Sequence, residues 1–335
     1  MAENEKNRMA ADNYYSKDFE WEELKHDVEN DPSLLYHWVP YANPTIGAQD
    51  LDAAAFCHSS SLPKEDSEAW NKFHTRHSTG RFFKERRYLL KEFPELASCN
   101  KYSIGLEVGC GNGSTVLPIL RGNESIFIFA CDSSCEAVER TKENINAANL
   151  ASAKHRFNLF QCDFSSSNFP QWLICNSCRE NSISKRCDWP SDSNSDSKRF
   201  SPDPQCFVGN SCCIGGVDFL TLIFTLSALP LHRMQIAIRE CFYALRPGGL
   251  LLFRDYGLYD MTMLRFEQEQ RVGFREYLRS DGTRSYFFCL DSVRDLFCSV
   301  GFIKIELEYC CVKTLNRRNG KTMKRVWVHG KFQRP

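Results

Sequence analysis

The run Leu106-Glu107-Val108-Gly109-Cys110-Gly111-Asn112-Gly113 joins an apolar segment, residues 102–108, to a predicted helix over residues 115–120. Glycines at alternate positions let a ligand approach the backbone, because no Cβ blocks it, and leave N–H groups free to bind. The pattern departs from the G-x-G-x-x-G of NAD-binding folds, and Glu107 would repel a pyrophosphate but suit a sulfonium or ammonium group. It therefore favours S-adenosylmethionine over NAD. An ordinary glycine-rich surface turn is the alternative.

Two more acidic residues follow apolar runs that read as the next strands. Asp132 ends the run 127–132, where a carboxylate can accept both hydroxyls of a ribose. Asp163 follows the run 157–162 and could accept an adenine amino group, with Phe164 against the ring. Each aspartate alone is more typical of a helix N-cap. Together with Glu107 they favour a cofactor site at one edge of a sheet.

The order of predicted elements indicates an α/β fold. Strands and helices alternate from residue 100 onwards, and the chain ends in two strands, which predicts a Rossmann-like, largely parallel sheet with a C-terminal antiparallel hairpin. Before this domain, residues 1–66 read as a flexible acidic arm and residues 67–99 as an N-terminal helical element. Residues 170–216 are rich in Ser, Asp, Asn and Cys and read as an inserted loop within the 100–335 domain.

Length and composition are those of a globular protein with one large core. The 335 residues carry no net charge, and no apolar run approaches the length of a membrane span. The 17 cysteines are an odd number in a long chain, and several lie inside apolar runs, so reduced thiols fit better than disulfides. We expect a cytoplasmic protein, with the nucleus as the alternative, and no membrane association.

The segment after the fourth predicted strand limits the chemistry. Methylases that modify exocyclic amino groups often carry an Asp/Asn-Pro-Pro-aromatic run there. This chain has Phe224-Thr225-Leu226-Ser227-Ala228-Leu229-Pro230 instead. The absence of that run argues against exocyclic amine chemistry. A nucleophile with a free lone pair at neutral pH, such as a ring nitrogen, stays open.

A polar cluster follows the next strand and supplies candidate catalytic residues. In Arg254-Asp255-Tyr256-Gly257-Leu258-Tyr259-Asp260, the Asp255 carboxylate could stabilise the cation that forms when a ring nitrogen is alkylated. Tyr256 and Tyr259 could stack on a flipped base. We therefore predict catalytic roles for Arg254, Asp255 and Tyr256. A tight turn fixed by Arg–Asp pairing is the alternative.

Basic and aromatic side chains interleave at three places, around residues 76–91, at 281–286 and at 317–325. Such runs suit a polyanion whose phosphates position it while loops contact its bases, although a charged run is often only a solvated face. RNA is therefore a candidate partner. The candidate RNA-binding residues are Arg81, Lys84, Arg86, Tyr259, Arg284, Arg317 and Arg318.

Several motifs resemble the methyltransferase-like enzymes that form 3-methylcytidine in tRNA. They are Trp70-Asn71-Lys72-Phe73, Arg81-Phe82-Phe83-Lys84-Glu85-Arg86, the glycine run, Leu226-Ser227-Ala228, the Arg254–Asp260 cluster and Asp281-Gly282-Thr283-Arg284-Ser285-Tyr286. The resemblance extends from about residue 69 to the C-terminus, except for the insert. It implies a class I methyltransferase fold, S-adenosylmethionine as cofactor and cytosine 32 of the anticodon loop as target. It also implies that the 67–99 element binds tRNA.

The resemblance and the glycine motif together define the expected cofactor site. Its residues are Trp70, His74, Glu107, Gly109, Gly111, Gly113, Asp132, Asp163, Phe164 and Ile223. His74 stands where the family usually has tyrosine, and Asn112 replaces an apolar residue. A protein partner such as an aminoacyl-tRNA synthetase is a hypothesis that the resemblance leaves open.

The insert adds an open question about metal binding. Cys175-x-x-Cys178, Cys187, Cys206, Cys212 and Cys213 have irregular spacing, so we predict no metal among the site residues and leave a zinc site open. Two other function classes also remain. One is a non-catalytic tRNA-binding or scaffold subunit, and the other is a class I methyltransferase that acts on a small molecule or a protein.

Overall fold

Strands and helices alternate along the chain, and the helices pack against one long sheet. The computed structural model describes residues 18–41, 63–77, 85–98, 103–148, 155–184, 212–315, 320 and 322–335. The helices are α1 (Trp21–Glu29), α2 (Pro63–Arg76), α3 (Leu89–Glu92), α4 (Glu95–Ser98), α5 (Val116–Gly122), α6 (Cys135–Ala147), α7 (Asn176–Ser184), α8 (Leu231–Ala244) and α9 (Leu290–Val300). No helix in these ranges is long and apolar enough to cross a membrane.

The strands are β1 (Ile104–Val108), β2 (Phe127–Asp132), β3 (Phe157–Gln161), β4 (Val217–Ile223), β5 (Leu245–Tyr256), β6 (Arg271–Gly273), β7 (Glu276–Leu278), β8 (Arg284–Tyr286), β9 (Ile303–Leu315) and β10 (Thr322–Gln333). Seven of them form one sheet in the order β3-β2-β1-β4-β5-β10-β9. β1 to β5 are parallel, and β10 is antiparallel to both β5 and β9. The predicted α/β fold with its C-terminal hairpin is confirmed.

Strand alternation supplies the core on both faces of the sheet. In β2, Phe127, Phe129 and Cys131 join the apolar cluster that α8 and α9 cover. The residues between them, Ile128 and Ala130, join the cluster under α3 and α5. Successive side chains of a strand point to opposite faces, so a strand buried on both faces is apolar throughout. The carboxyl ends of β1, β2, β3, β4 and β5 consequently meet at one edge.

A second sheet, β6-β7-β8, lies beyond the main one. The sequence predicts only a turn over residues 281–286, and the turn is present, because Asp281 Oδ1 accepts the backbone N–H of Thr283 at 3.0 Å. The flanking strands have three residues each, which is too short for an alternating pattern to be recognised.

The N-terminal segment differs from the predicted flexible arm over residues 1–66. Residues 18–41 pack on the domain: Trp21 Nε1 donates to the carbonyl of Leu258 at 3.1 Å, and Tyr36 Oη donates to that of Phe266 at 2.7 Å. Trp21, Leu24 and Val28 lie on one face of α1, and Leu24 and Val28 are buried there. The acidic residues of α1 outnumber its apolar ones, so the composition of this segment does not indicate that one face is apolar.

The predicted inserted loop over residues 170–216 has packed ends. α7 lies near its start, and Arg179 of α7 makes a two-pronged ion pair with Glu240 of α8, at 2.6 and 2.8 Å. At the other end, the Ile214 N–H donates to the Trp172 carbonyl at 3.0 Å. Both ends of the insert therefore belong to the domain, while residues 185–211 lie outside the described ranges.

A buried ion pair joins helix α3 to the sheet. Arg254 of β5 contacts the carboxylate of Glu92 in α3, and both side chains are almost fully buried. His329 Nδ1 of β10 lies 3.0 Å from the same Glu92 oxygen. Burial alone raises the pKa of Glu92, but Arg254 and His329 hold that pKa below its ordinary value.

We predict that Glu92→Gln lowers the free energy of unfolding by about 3 kcal/mol, because it removes the carboxylate that neutralises a buried guanidinium. Urea denaturation measures the change. The control is Asp291→Asn, which breaks an exposed pair with Arg294 and should leave the free energy of unfolding nearly unchanged. Equal losses in the two variants would contradict the assigned role of the Glu92–Arg254 pair.

Candidate functional site

The glycine turn after β1 forms the floor of the site. Gly109, Gly111 and Gly113 all have positive φ, at 70°, 55° and 81°. A Cβ on Gly109 would lie 2.4 Å from the side chain of Thr225, which follows β4, so only glycine fits there. The turn thus brings bare backbone to the carboxyl edge of the sheet, as its sequence predicts.

Asp132, at the end of β2, fixes this turn. Its Oδ2 accepts the backbone N–H of Gly111 at 2.9 Å, and its Oδ1 accepts the N–H of Ser134 at 2.9 Å. Asp163 stands beyond β3, where its Oδ1 accepts the Ser165 hydroxyl at 2.6 Å and Arg233 lies 3.8 Å from Oδ2. The two carboxylates therefore face the same edge, each held by its own hydrogen bonds.

Glu107 lies behind the turn, in the middle of the sheet. Burial raises the pKa of its carboxyl to about 8, against the opposing effects of Arg86 and Thr115. Its Oε2 is buried and has no hydrogen-bond partner among the described residues. The raised pKa favours the neutral carboxyl at pH 7, so the structure gives no support for Glu107 as a charge partner of a sulfonium.

A cavity of about 740 Å³ opens above the turn. Eight of the predicted cofactor residues line it: Trp70, His74, Gly109, Gly111, Asp132, Asp163, Phe164 and Ile223. Glu107 and Gly113 are not among the lining residues. The volume lies in the range typical of small-molecule sites.

Trp70 and His74 close one side of the cavity from α2. They are one helical turn apart, and their rings lie 6.3 Å from each other. The Nε1 of Trp70 is buried and has no hydrogen-bond partner in the described part of the chain. Burial lowers the pKa of His74, which favours a neutral imidazole at pH 7.

The other half of the cavity is aromatic and cationic. Tyr88, Phe224, Tyr256 and Trp327 line it, together with Arg86, Arg279, Arg284 and Arg325. Phe224 has a positive φ of 54°, a strained conformation for an aromatic residue and one that is found at functional sites. The Arg86 guanidinium lies over the Phe224 ring at 5.3 Å, and that of Arg325 lies over the Trp327 ring at 5.1 Å.

The three predicted catalytic residues lie in different environments. Tyr256 lines the cavity, but Arg254 and Asp255 do not. Arg254 lies behind the Tyr88 and Trp327 rings, with its guanidinium 5.2 and 4.6 Å from their centroids, and it pairs with Glu92. The Asp255 carboxylate accepts the backbone N–H groups of Ser227 and Tyr256, each at 2.9 Å, and burial raises its pKa to about 6.

The predicted RNA-binding residues also separate. Arg86 and Arg284 line the cavity, and Arg284 also pairs with Glu276 at 2.8 Å. Tyr259 is buried below α1, where its hydroxyl donates to Glu29 Oε1 at 2.8 Å, so its ring is not presented to a ligand. Arg81, Lys84, Arg317 and Arg318 lie outside the described residues.

The predicted site residues miss several of the residues that line the cavity, among them Phe224, Arg279 and Trp327. The position of Phe224, directly after β4, was a usable signal. Arg279 reaches the cavity through the short second sheet. Trp327 reaches it because β10 pairs with β5 in a register that places Trp327 opposite Tyr256. No local pattern predicts such a register.

The chain is similar to proteins described as methyltransferases. A family model described as a methyltransferase domain matches residues 82–307. The tRNA N(3)-cytidine methyltransferase METTL6 of Homo sapiens is 33% identical over 278 residues, covering 82% of this chain and 82% of that protein. METTL2 of Danio rerio, with the same described activity, is 32% identical over 351 residues, covering 91% and 87%. O-methyltransferase 3 of Dictyostelium discoideum is 31% identical over 280 residues, covering 82% and 54%.

The fold and the matched domain define a class I methyltransferase. Within that class, the chain belongs to the family of tRNA N(3)-cytidine methyltransferases. The family that the motifs indicate is thereby confirmed.

A pair of substitutions tests the geometry of the turn. Gly109→Ala combines a positive φ with a steric clash against Thr225, and we predict a loss of about 2–4 kcal/mol in unfolding free energy. Gly111 also has a positive φ, but a Cβ at this position would lie 3.7 Å from the His74 side chain, which is an ordinary contact. For Gly111→Ala we therefore predict a loss of only about 1 kcal/mol in unfolding free energy. Chemical denaturation distinguishes the two. A larger loss for Gly111→Ala would show that the turn is misdescribed.

Proposed function

We propose that this chain transfers a methyl group from S-adenosylmethionine to N3 of cytosine 32 in a tRNA anticodon loop. The observation that carries the proposal is the composition of the cavity. One half has a glycine turn and two fixed carboxylates, and the other has four aromatic rings and four arginines. A cofactor with polar ribose and amino groups suits the first half, and a flipped base suits the second.

The residues of the first half fit the cofactor. The positive φ values of Gly109 and Gly111 bring bare backbone to the cavity, and the Trp70 Nε1 is a buried donor that a ligand could satisfy. Asp132 and Asp163 offer acceptors for ribose hydroxyls and the adenine amino group, and Phe164 and Ile223 offer apolar walls. When bound, S-adenosylmethionine supplies an electrophilic methyl group on a sulfonium.

The second half suits the nucleophile. Cytosine N3 carries a lone pair at neutral pH, which base pairing blocks in a duplex and an anticodon loop exposes. Tyr88, Phe224, Tyr256 and Trp327 would hold the base by stacking, and their π faces would stabilise the positive charge that develops on it. Arg86 and Arg279 would bind the neighbouring phosphates, whereas Arg284 and Arg325 are paired with Glu276 and Asp260.

Asp255 would act by positioning the substrate half of the site. Its two oxygens hold the N–H groups of Ser227 and Tyr256, both of which line the cavity. Methyl transfer is an in-line displacement, so its rate depends on the alignment of base and methyl donor, and a small shift of Tyr256 would be costly. The role that we predicted for Arg254 would likewise be indirect, through the Glu92 pair.

The direct test uses unmodified tRNA transcripts that carry either cytosine or uridine at position 32. With S-adenosylmethionine and the purified chain, nucleoside mass spectrometry should find 3-methylcytidine in the cytosine transcript only. Transfer should decline steeply with salt, because phosphate contacts contribute to binding. Formation of 2′-O-methylcytidine, or methyl incorporation that ribonuclease treatment of the substrate does not abolish, would overturn the proposal.

Two variants control that experiment. Asp132→Ala removes the carboxylate that fixes Gly111 and should abolish transfer together with cofactor binding, measured by calorimetry. Glu139→Gln changes an exposed acid on α6 and should leave both transfer and cofactor binding unchanged.

A second reaction, with the wild-type chain, contains a mixture of aminoacyl-tRNA synthetases. Activity that appears only in it supports a required protein partner, and inactivity in both reactions overturns the catalytic proposal in favour of a scaffold.

Asp255 gives a separate prediction. We expect Asp255→Asn to lower kcat about 10- to 100-fold with little change in cofactor affinity, because an amide cannot accept both N–H groups. The wild-type carboxyl has its pKa raised to about 6, so kcat should fall as the pH falls through 6 and the acceptor is protonated. The variant should lack this pH dependence. Wild-type turnover in Asp255→Asn would remove the assigned role.

A further inference from the structure

Four cysteines from the two ends of the insert lie together. Cys175 and Cys178 stand at the start of α7, and Cys212 and Cys213 precede β4. Their Sγ atoms all lie within 4.8 Å of one another. The Cys178 sulfur lies 3.5 Å from that of Cys212 and 3.6 Å from that of Cys213.

These separations have the scale of a metal site. Thiolates at about 2.3 Å from a tetrahedral zinc ion stand about 3.8 Å from one another. A disulfide needs about 2.05 Å between the sulfurs, which is much closer than the pairs here. The separations of 3.5 and 3.6 Å at Cys178 are close to this spacing, and all four sulfurs lie within 4.8 Å of one another, so they can surround a common centre.

We propose that Cys175, Cys178, Cys212 and Cys213 bind one structural Zn²⁺ ion. Four thiolates form a closed, soft ligand set of the kind that holds zinc without an open position for substrate. This differs from the expectation from the sequence, where irregular spacing concealed the site. The spacing misleads because the fold, rather than the local sequence, brings Cys212 and Cys213 to the Cys175-x-x-Cys178 pair.

The backbone contributes one contact at the cluster. The N–H of Cys178 donates to the Cys175 sulfur. Cys212 and Cys213 are adjacent, unlike the usual two-residue separation, yet both sulfurs reach Cys178. Cys187 and Cys206 lie outside the described residues.

The location indicates a structural role. None of the four cysteines lines the cavity. Cys213 lies four residues before β4 begins, whereas the cavity is at the other end of that strand, at Ile223. Together with the Arg179–Glu240 pair, the ion would fasten both ends of the insert and close the chain between Cys178 and Cys212 into a loop.

The test measures bound metal in the full chain, purified under reducing conditions, supplied with zinc and freed of excess ion. Elemental analysis should find about one zinc per chain in the wild type and less than about a fifth of that in Cys175→Ser/Cys178→Ser. The matched control is Cys298→Ser, an exposed cysteine on α9, which should keep its zinc. Chelation should lower the melting temperature of the wild type by about 5 °C and leave the double variant unchanged.

Three results would overturn the proposal: a wild type without zinc, a double variant that keeps it, or a Cys178–Cys212 disulfide found by peptide mass spectrometry in the reduced preparation. If the double variant does not fold, cobalt decides the question with the wild-type chain. Co²⁺ in place of zinc should give the intense visible and charge-transfer absorption of a tetrahedral thiolate site. A weak octahedral spectrum would contradict the assignment. None of these measurements depends on methyl transfer, so the zinc proposal and the proposed function fail separately.

Discussion

The Asp132 carboxylate joins the end of β2 to the turn that follows β1 through the backbone N–H of Gly111. This hydrogen bond spans two neighbouring parallel strands, so it depends on their order and register in the sheet. This hydrogen bond fixes the shape of the glycine turn, and the turn lines the same cavity as Trp70 and His74 of α2. Most of the cavity is built outward from this contact.

Two kinds of information determine the site, and only one is local. The glycine turn, Asp132, Asp163 and Phe164 each follow directly from a strand, so their place at the carboxyl edge could be predicted from the order of elements. Trp327 and Arg325 arrive through the pairing of β10 with β5, and Arg279 arrives through three-residue strands. Such positions depend on which strands pair and in which register, and the order of elements alone does not determine this.

The consecutive residues Arg254, Asp255 and Tyr256 show the limit most clearly. In sequence they form one polar cluster and suggest one function. In the structure, Arg254 lies behind the Tyr88 and Trp327 rings and pairs with Glu92, Asp255 holds backbone N–H groups, and only Tyr256 of the three lines the cavity. The packing of residues 18–41 on the domain was not predicted for a different reason. The three apolar side chains of α1 are outnumbered by its acidic residues, so the segment reads as polar.

Trp172, near the start of the insert, and Ile214, near its end, share a backbone hydrogen bond. Chain of almost any length can be added between two points that already touch, because the entropic cost of a longer excursion grows only slowly with its length. Both points also lie away from the cavity. The fold can thus acquire, lengthen or lose an appendage here over evolutionary time while the geometry for catalysis stays the same.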